Sequence, residues 1–527
     1  MIVENQNEVR QFLAAAMAGR GDVEQVSTHI SHLVLGPERV WKLKRAVRLP
    51  YADFATPERR LACCENEVAL NRRTAPEHYL GVRRITRAEP GLAFDGDGTL
   101  VDAVVEMRRF DQDALFDRLA TRGALTPALM ERLAAEVARL HAACSPDPRP
   151  GSERVAEVLA VNEAALGETS VFAPEAVHAF NAAFRAAAAG HAAHLDARGR
   201  AGRVRRAHGD LHLRNIFLEG DRPVLFDCIE FNDAIATVDL MYDLAFLLMD
   251  LIHRGLPGFA NLVLNRYLDI TGDEEGLSLV PFFMGLRAAV RAHVTASAIE
   301  AGDDTPDRRA EARAYFDLAL DLIRPGPAVV VALGGLSGTG KSTVAAALAP
   351  HLGGGAGARI LSSDRVRKSL HGVAAETRLP QEAYRREVST RVYAELEART
   401  ARLAAAGSAV VVDAVFADPG ERDRIEAAAR LADAPFLGAW LHAPDDTLRA
   451  RVAARTGGPS DATVGVLERQ LAYDLGPLTW ARFRADQPAE ALAAAIGAAL
   501  PMGAPRNDAP QTPKRKDPWP SGHPPGD

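Results

Sequence analysis

The segment Gly335-Leu-Ser-Gly338-Thr-Gly340-Lys341-Ser342-Thr343 places three glycines, a lysine and, after it, two adjacent hydroxyls (Ser342 and Thr343) at the spacing of a polyphosphate cradle. Glycines let backbone N–H groups wrap phosphate oxygens, the lysine adds a point charge, and the hydroxyl of Ser342 can ligand Mg2+. A second constellation lies upstream. In His208-Gly-Asp210-Leu-His-Leu-Arg-Asn215, Asp210 can accept the proton of a hydroxyl, while Asn215 and, twelve residues on, Asp227 can hold Mg2+. Lys42, in VWKLK, is the matching phosphate lysine and Glu67 its partner. Lys44 shares the strand face of Lys42, and Glu65 is the fallback for Glu67.

Further groups follow the glycine-rich segment. Asp364 can take a proton from an attacking hydroxyl, and Arg367, three residues on, can fork onto an anionic substrate group. Asp413 ends an apolar run, where a carboxylate can bind Mg2+ or its water shell. Arg449, Arg451 and Arg455 have helical spacing and suit a lid over phosphates. Lysine is scarce: only Lys42, Lys44, Lys341, Lys368, Lys514 and Lys516 occur among 62 basic residues. Because an ammonium and a guanidinium are not interchangeable at a shaped site, these six are the first places to look. No role for Lys368 is readable from the sequence.

The elements that must position these groups are legible in outline. Val40–Val47 alternates as a half-buried strand, and Thr56-Pro57 caps a helix running through Leu70. Strands are expected between Val82 and Arg109, helices from Ala114 to about Leu195, strands and loops over His208–Phe231, then helices to about Leu322. After the connector Pro325-Gly326-Pro327 the pattern changes. Ala328–Gly335 reads as a buried parallel strand, Thr343–Leu348 as its helix, and Arg359–Ser362, Ala409–Val412 and Pro435–Leu441 as further strands. The expected division is 1–322, a linker at 323–328, 329–500, and a disordered Pro/Gly-rich tail at 501–527 carrying Lys514 and Lys516.

The C-terminal set resembles the small P-loop kinases of the gluconate-kinase, zeta-toxin and polynucleotide 5′-kinase type. It does so through the phosphate loop, Asp364-x-x-Arg367, Asp413 and the Arg451/Arg455 pair. The resemblance implies an α/β P-loop fold with a parallel sheet, Asp364 as base or substrate ligand, and Arg451 and Arg455 on ATP phosphates. The HGD motif and the helix-rich region around it resemble the aminoglycoside phosphotransferase and choline-kinase-like superfamily, over about residues 20–322. That implies an α+β protein-kinase-like fold phosphorylating hydroxyls of small molecules. This sequence differs from it in offering only Gly36 within Leu33–Arg39, and in reading Asp227-Cys-Ile-Glu230 at the third motif. The whole order resembles bacterial proteins that fuse the two.

Composition narrows the classes. At 527 residues the chain exceeds one core, at roughly 100–200 residues per domain. A net charge of −7 gives no basic field for nucleic acid. Four cysteines without a C-x-x-C pair fit a reducing, cytoplasmic compartment, and the N-terminus does not read as a signal peptide. The apolar run Leu244–Ile252 is too short to span a bilayer. Asp95-Gly-Asp97-Gly-Thr99-Leu-Val-Asp102 matches a phosphatase-type D-x-D-G-T-L signature, with Gly302–Asp307 as its later acidic motif. No buried parallel strand precedes Asp95, so a hairpin turn is the expectation. The chain therefore reads as a bifunctional phosphotransferase using ATP and Mg2+. Alternatives are an ATP-binding regulator with a ligand-sensing N-terminal pseudokinase, and a toxin-like or nucleic-acid 5′-kinase.

Overall fold

The computed structural model describes residues 3–19, 22–49, 52–324, 326–455 and 457–501. The tail beyond Pro501, with Lys514 and Lys516, lies outside the described residues, as does Pro325 of the connector. Two compact units result: one from Met1–Ala164 and Arg185–Asp250, the other from Ala165–Phe184 and Leu251–Asp527. Residues 251–322, read from the sequence as the end of the first domain, thus fall in the second unit.

In the first unit β1 (Glu24–Ser27), β2 (Ser31–Leu35), β3 (Arg39–Lys44), β4 (Tyr79–Ala88), β5 (Gly91–Phe94) and β6 (Thr99–Arg108) form an antiparallel sheet in the order β1-β2-β3-β6-β4-β5. Alternation along β3 sends Trp41 and Leu43 to one face, against Leu13 and Met17 of the helix Asn7–Ala18. Val40, Lys42 and Lys44 go to the other face, which packs on α1 (Pro57–Asn71). Thr56 caps α1, its hydroxyl accepting from Arg59 N at 3.4 Å, with Pro57 in the first turn. The buried stripe Arg60, Cys63, Cys64, Glu67, Val68, Asn71 follows the helical period and brings Glu67 to β3. The segment 208–231 contains a hairpin of β7 (Ile216–Glu219) and β8 (Arg222–Leu225), and the helix α2 (Leu240–His253) follows it.

The Asp95–Gly98 segment is a turn, with Asp95 at φ 54°. It does not close a hairpin, because β5 pairs with β4 and the chain crosses to β6 on the far side of β4. The later acidic cluster joins the helices Val280–Glu300 and Pro306–Leu322.

The second unit carries a parallel sheet of β9 (Val330–Gly334), β10 (Arg359–Ser362), β11 (Val410–Asp413), β12 (Phe436–His442) and β13 (Ala481–Arg484), ordered β10-β11-β9-β12-β13. Val331, Leu333 and Val411 pack against Val344 and Leu348 of α4 (Lys341–Leu348) and Ile496 of the helix Ala489–Ala498. The window within Glu274–Glu300 is long and apolar enough to cross a membrane by length and composition, yet 72% of it is buried in the protein.

The edge strand β10 is covered by α3 (Pro257–Thr271). Asn265 Oδ1 accepts from Ile360 N at 2.8 Å, and Asn261 Nδ2 donates to the carbonyls of Ala356 and Ala358 at 2.8 and 2.9 Å. Arg359, 1% exposed, pairs with Asp269 at 2.7 Å and Glu274 at 3.0 Å. Asp269 also meets Arg365 at 3.4 Å, and Arg399 and Arg402 close on Glu274. Burial pushes both carboxyls up, but the arginines outweigh it and hold them below their ordinary values. Glu274→Ala strips partners from the buried Arg359 and from Arg399 and should cost about 3 kcal/mol in urea unfolding. Both carboxyls are depressed in the folded state, so their stabilisation is complete above the unfolded values near about 4. It is lost as pH falls through the folded values, and the difference between parent and variant should shrink in acid.

Candidate active sites

In the first unit Lys42 reaches from β3 to Glu67 Oε1 at 2.7 Å and to Asp227 Oδ1 at 2.5 Å. Lys44 lies 2.5 Å from Glu67 Oε2 and also bonds Glu230. Both lysines therefore share one carboxylate, and only Lys42 also meets Asp227. Glu65 is exposed, so Glu67 is the residue that faces the strand. Burial opposes the charge on Lys42, but Asp227, Glu67 and Glu230 hold it well above its ordinary value. Glu67 is likewise held low, against burial, by Lys42 and Lys44. Burial keeps Glu230 raised despite Lys44.

The loop carrying Asp210 is built from hydrogen bonds to its backbone. Asp243 of α2 accepts from His208 N at 3.2 Å and Gly209 N at 2.8 Å, and it meets His141 Nε2 at 3.0 Å. Asp250, two turns further, accepts from Leu213 N at 3.0 Å. Asn215 Nδ2 donates to the Asp210 carbonyl and carboxylate, each at 2.9 Å. Asp227 sits at φ 62°, a left-handed conformation costly for a non-glycine residue. It is held there by Asp227 N donating to Tyr79 Oη at 3.2 Å and Cys228 N donating to Asn71 Oδ1 at 2.9 Å. The turn between β1 and β2, Thr28–Ile30, contains no glycine; Gly36 lies in the next turn.

In the second unit Gly335 and Gly338 have positive φ, and a Cβ on Gly335 would lie 2.5 Å from Leu441 O, so the loop admits no larger residue there. Gly340 precedes α4 as its N-cap, and Thr343 lies exposed in the first turn. Gln470 accepts from Ser337 N at 2.8 Å and pins the loop. Lys341 donates to the carbonyls of Gly335 and Leu336 at 2.8 and 3.2 Å. Burial pushes its ammonium down, against Asp413 and Asp364, with nearby Arg455 adding to the push. An ammonium held by two neutral carbonyls is suited to an incoming polyphosphate. Ser342 Oγ donates to Asp413 Oδ2 at 2.6 Å, so these two lie together. Asp364, at the start of α5 (Ser363–Leu370), is pushed up by burial and then by the Asp413 carboxylate. Arg367 is buried, donating to Ala383 O at 2.8 Å. On α6 (Asp445–Ala453), Arg451 donates to Ala485 O at 2.8 Å and lies 3.5 Å from Gly338 O. Arg449 faces outward to Glu468 and Asp446, and of the three arginines it is the one turned from the loop.

Residues 98–279 match the family model described as the phosphotransferase enzyme family, and residues 330–474 match that described as an AAA domain. The chain carries two kinase-type domains. Both resemblances drawn from the motifs are thereby borne out, as is the fold: a kinase-like N-terminal domain and a P-loop domain with a five-stranded parallel sheet. An uncharacterized protein of Mycobacterium tuberculosis H37Rv is 28% identical over 463 residues, covering 85% of this chain and 90% of that protein. Among solved structures, a choline/ethanolamine kinase family protein from Mesorhizobium loti is 16% identical with a TM-score of 0.39, covering 60% of this chain and 95% of that one. A gluconokinase from Sinorhizobium meliloti is 22% identical with a TM-score of 0.24, covering 33% and 92%. The phosphotransferase-family match extends through α3, which packs on the sheet of the P-loop domain.

Among the described residues no group of three or more His, Cys, Asp or Glu forms a ready metal cage. Mg2+ requires none, since it keeps waters and takes one or two carboxylates together with phosphate oxygens. The hard oxygen donors fit it. Asn215 turns its amide nitrogen to Asp210 and leaves its oxygen as the acceptor, and Ser342 and Asp413 adjoin one another.

Sequence reasoning missed Asp243, Asp250, Glu230 and Gln470 as supports of these sites. Asp243 and Asp250 did leave a signal, as acids in the otherwise apolar run Leu240–Ile252. Lys44→Met, which leaves the buried Glu230 without its cation, should lower unfolding stability by about 3 kcal/mol, more than Lys42→Met. Urea titration of both variants checks the order.

Proposed function

We propose that this protein is a bifunctional, ATP-dependent phosphotransferase whose two domains each transfer the γ-phosphoryl group to a hydroxyl of a small molecule. The observation that carries the reading is that each kinase-type domain holds its own lysine beside its own carboxylates: Lys42 with Asp227 in one, and Lys341 under the influence of Asp364 and Asp413 in the other. In the N-terminal domain Asp210 accepts the proton of the acceptor hydroxyl, with Asn215 fixing its carboxylate. Lys42, oriented by Glu67, neutralises phosphate charge. In the P-loop domain Asp364, with its carboxyl raised, takes the corresponding proton, Arg367 orients the acceptor, and Lys341, Arg451 and Arg455 meet the ATP phosphates. Mg2+, held by Asn215 and Asp227 or by Ser342 and Asp413, would offset charge developing on the phosphates. The four cysteines, all free and buried, are in keeping with a reducing cytoplasmic setting.

One observation favours a second reading, in which the N-terminal domain senses a ligand without chemistry: the glycine-free Thr28–Ile30 turn. ATP turnover of the full chain across a panel of sugars, aminosugars, polyols and nucleosides separates the two. Two activities are expected, one lost in Asp210→Asn and the other in Lys341→Ala, each by at least about 100-fold. Turnover unaffected by Asp210→Asn but abolished by Lys341→Ala would establish the sensor reading instead.

A further inference from the structure

Lys368, without a role in the sequence, is 1% exposed and lies one residue past Arg367 on α5. Its ammonium pairs with Asp461 at 2.7 Å and donates to Thr377 O. The same oxygen, Asp461 Oδ2, also accepts from Leu379 N at 3.0 Å and from Tyr384 Oη at 2.5 Å. The Tyr384 ring in turn lies against the Arg367 guanidinium, 4.8 Å from its carbon, while the buried Nε of Arg367 has no partner. Ser460, next to Asp461, lies near enough to Asp364 to favour its charged form against burial. One carboxylate oxygen, beyond the helix that bears Arg451, thus ties α5 to the segment 377–384 and borders the two groups on which the proposed acceptor chemistry depends.

This arrangement is more than an ion pair. An exposed Lys–Asp pair contributes little and fixes nothing, whereas here the lysine is enclosed and three donors converge on one atom. The Tyr384 hydroxyl and the aromatic face serve different partners, Asp461 and Arg367, so the position of the guanidinium follows that of the carboxylate.

We propose that Asp461 is a positioning residue of the P-loop site, fixing Arg367 through Tyr384 and Lys368 and so setting turnover while leaving ATP affinity unchanged. The inference rests on the phosphotransferase reading of that domain. The test uses the full chain carrying Asp210→Asn, with ATP turnover measured in the presence of the hydroxyl panel and ATP affinity measured with a fluorescent ATP analogue. Asp461→Asn should lower kcat about tenfold with KM for ATP and analogue affinity within about twofold, since misplacement affects the reacting groups and spares the phosphate loop. Adding Lys368→Met to Asp461→Asn should cost no more, because both break one unit. Parent-like kcat, a rise in KM at constant kcat, or losses that multiply would each overturn the proposal. Should Asp461→Asn not fold, Tyr384→Phe, which keeps the ring and removes only the hydroxyl, must still lower kcat at least about threefold; an unchanged kcat overturns the proposal equally. Turnover surviving Lys341→Ala would instead overturn the reading of the P-loop domain itself.

Discussion

A carboxylate can be enclosed only if cations reach it, and Glu67, fully buried, is met by two. Much of the first unit's arrangement serves that requirement. The alternation of β3 brings Lys42 and Lys44 to one face, and the cap at Thr56 starts the helix whose buried stripe includes Glu67. Asp227 and Glu230 complete the cluster from a segment more than 150 residues away in sequence. Such a network is high-stakes at Lys44, whose removal leaves the buried Glu230 without its direct cation, whereas Glu67 and Lys42 each meet two partners.

The second unit solves a similar problem at a sheet edge. Strand β10 would present unpaired backbone groups and a buried arginine, and α3 with its following turn supplies amides and carboxylates for both. Asp269, in pairing with Arg359 and Arg365, also lies beside the start of α5, where Asp364 and Arg367 stand. The residues that stabilise the edge and those proposed for chemistry are therefore neighbours on one framework.

Local rules carried the sequence reading far. The phosphate loop is contiguous, so its glycines, Lys341 and Ser342 could be recognised together, and period-2 alternation in β3 paired Lys42 with Lys44. The same alternation could not choose between the lysines, since the choice depends on Asp227 arriving from elsewhere in the chain. The D-G-D-G segment was legible as a turn and not as a crossing, because strand order is a property of the sheet and not of the four residues. Arg449 shares its helix with Arg451 and carries the same charge; only the position of Glu468 shows that it faces away.

The sequence by itself determined the two kinase-type domains and the elements bearing their motifs, because phosphate cradles, capped helices and strand alternation are written in neighbouring residues. Tertiary structure decided which residues hold those groups in place. Asp243 and Asp250 supporting the Asp210 loop, Glu230 on Lys44, α3 on the edge of the parallel sheet, and Asp461 on Lys368 are all contacts between distant segments. Burial makes each of them obligatory, since a polar group removed from water must find its partner wherever the fold brings one.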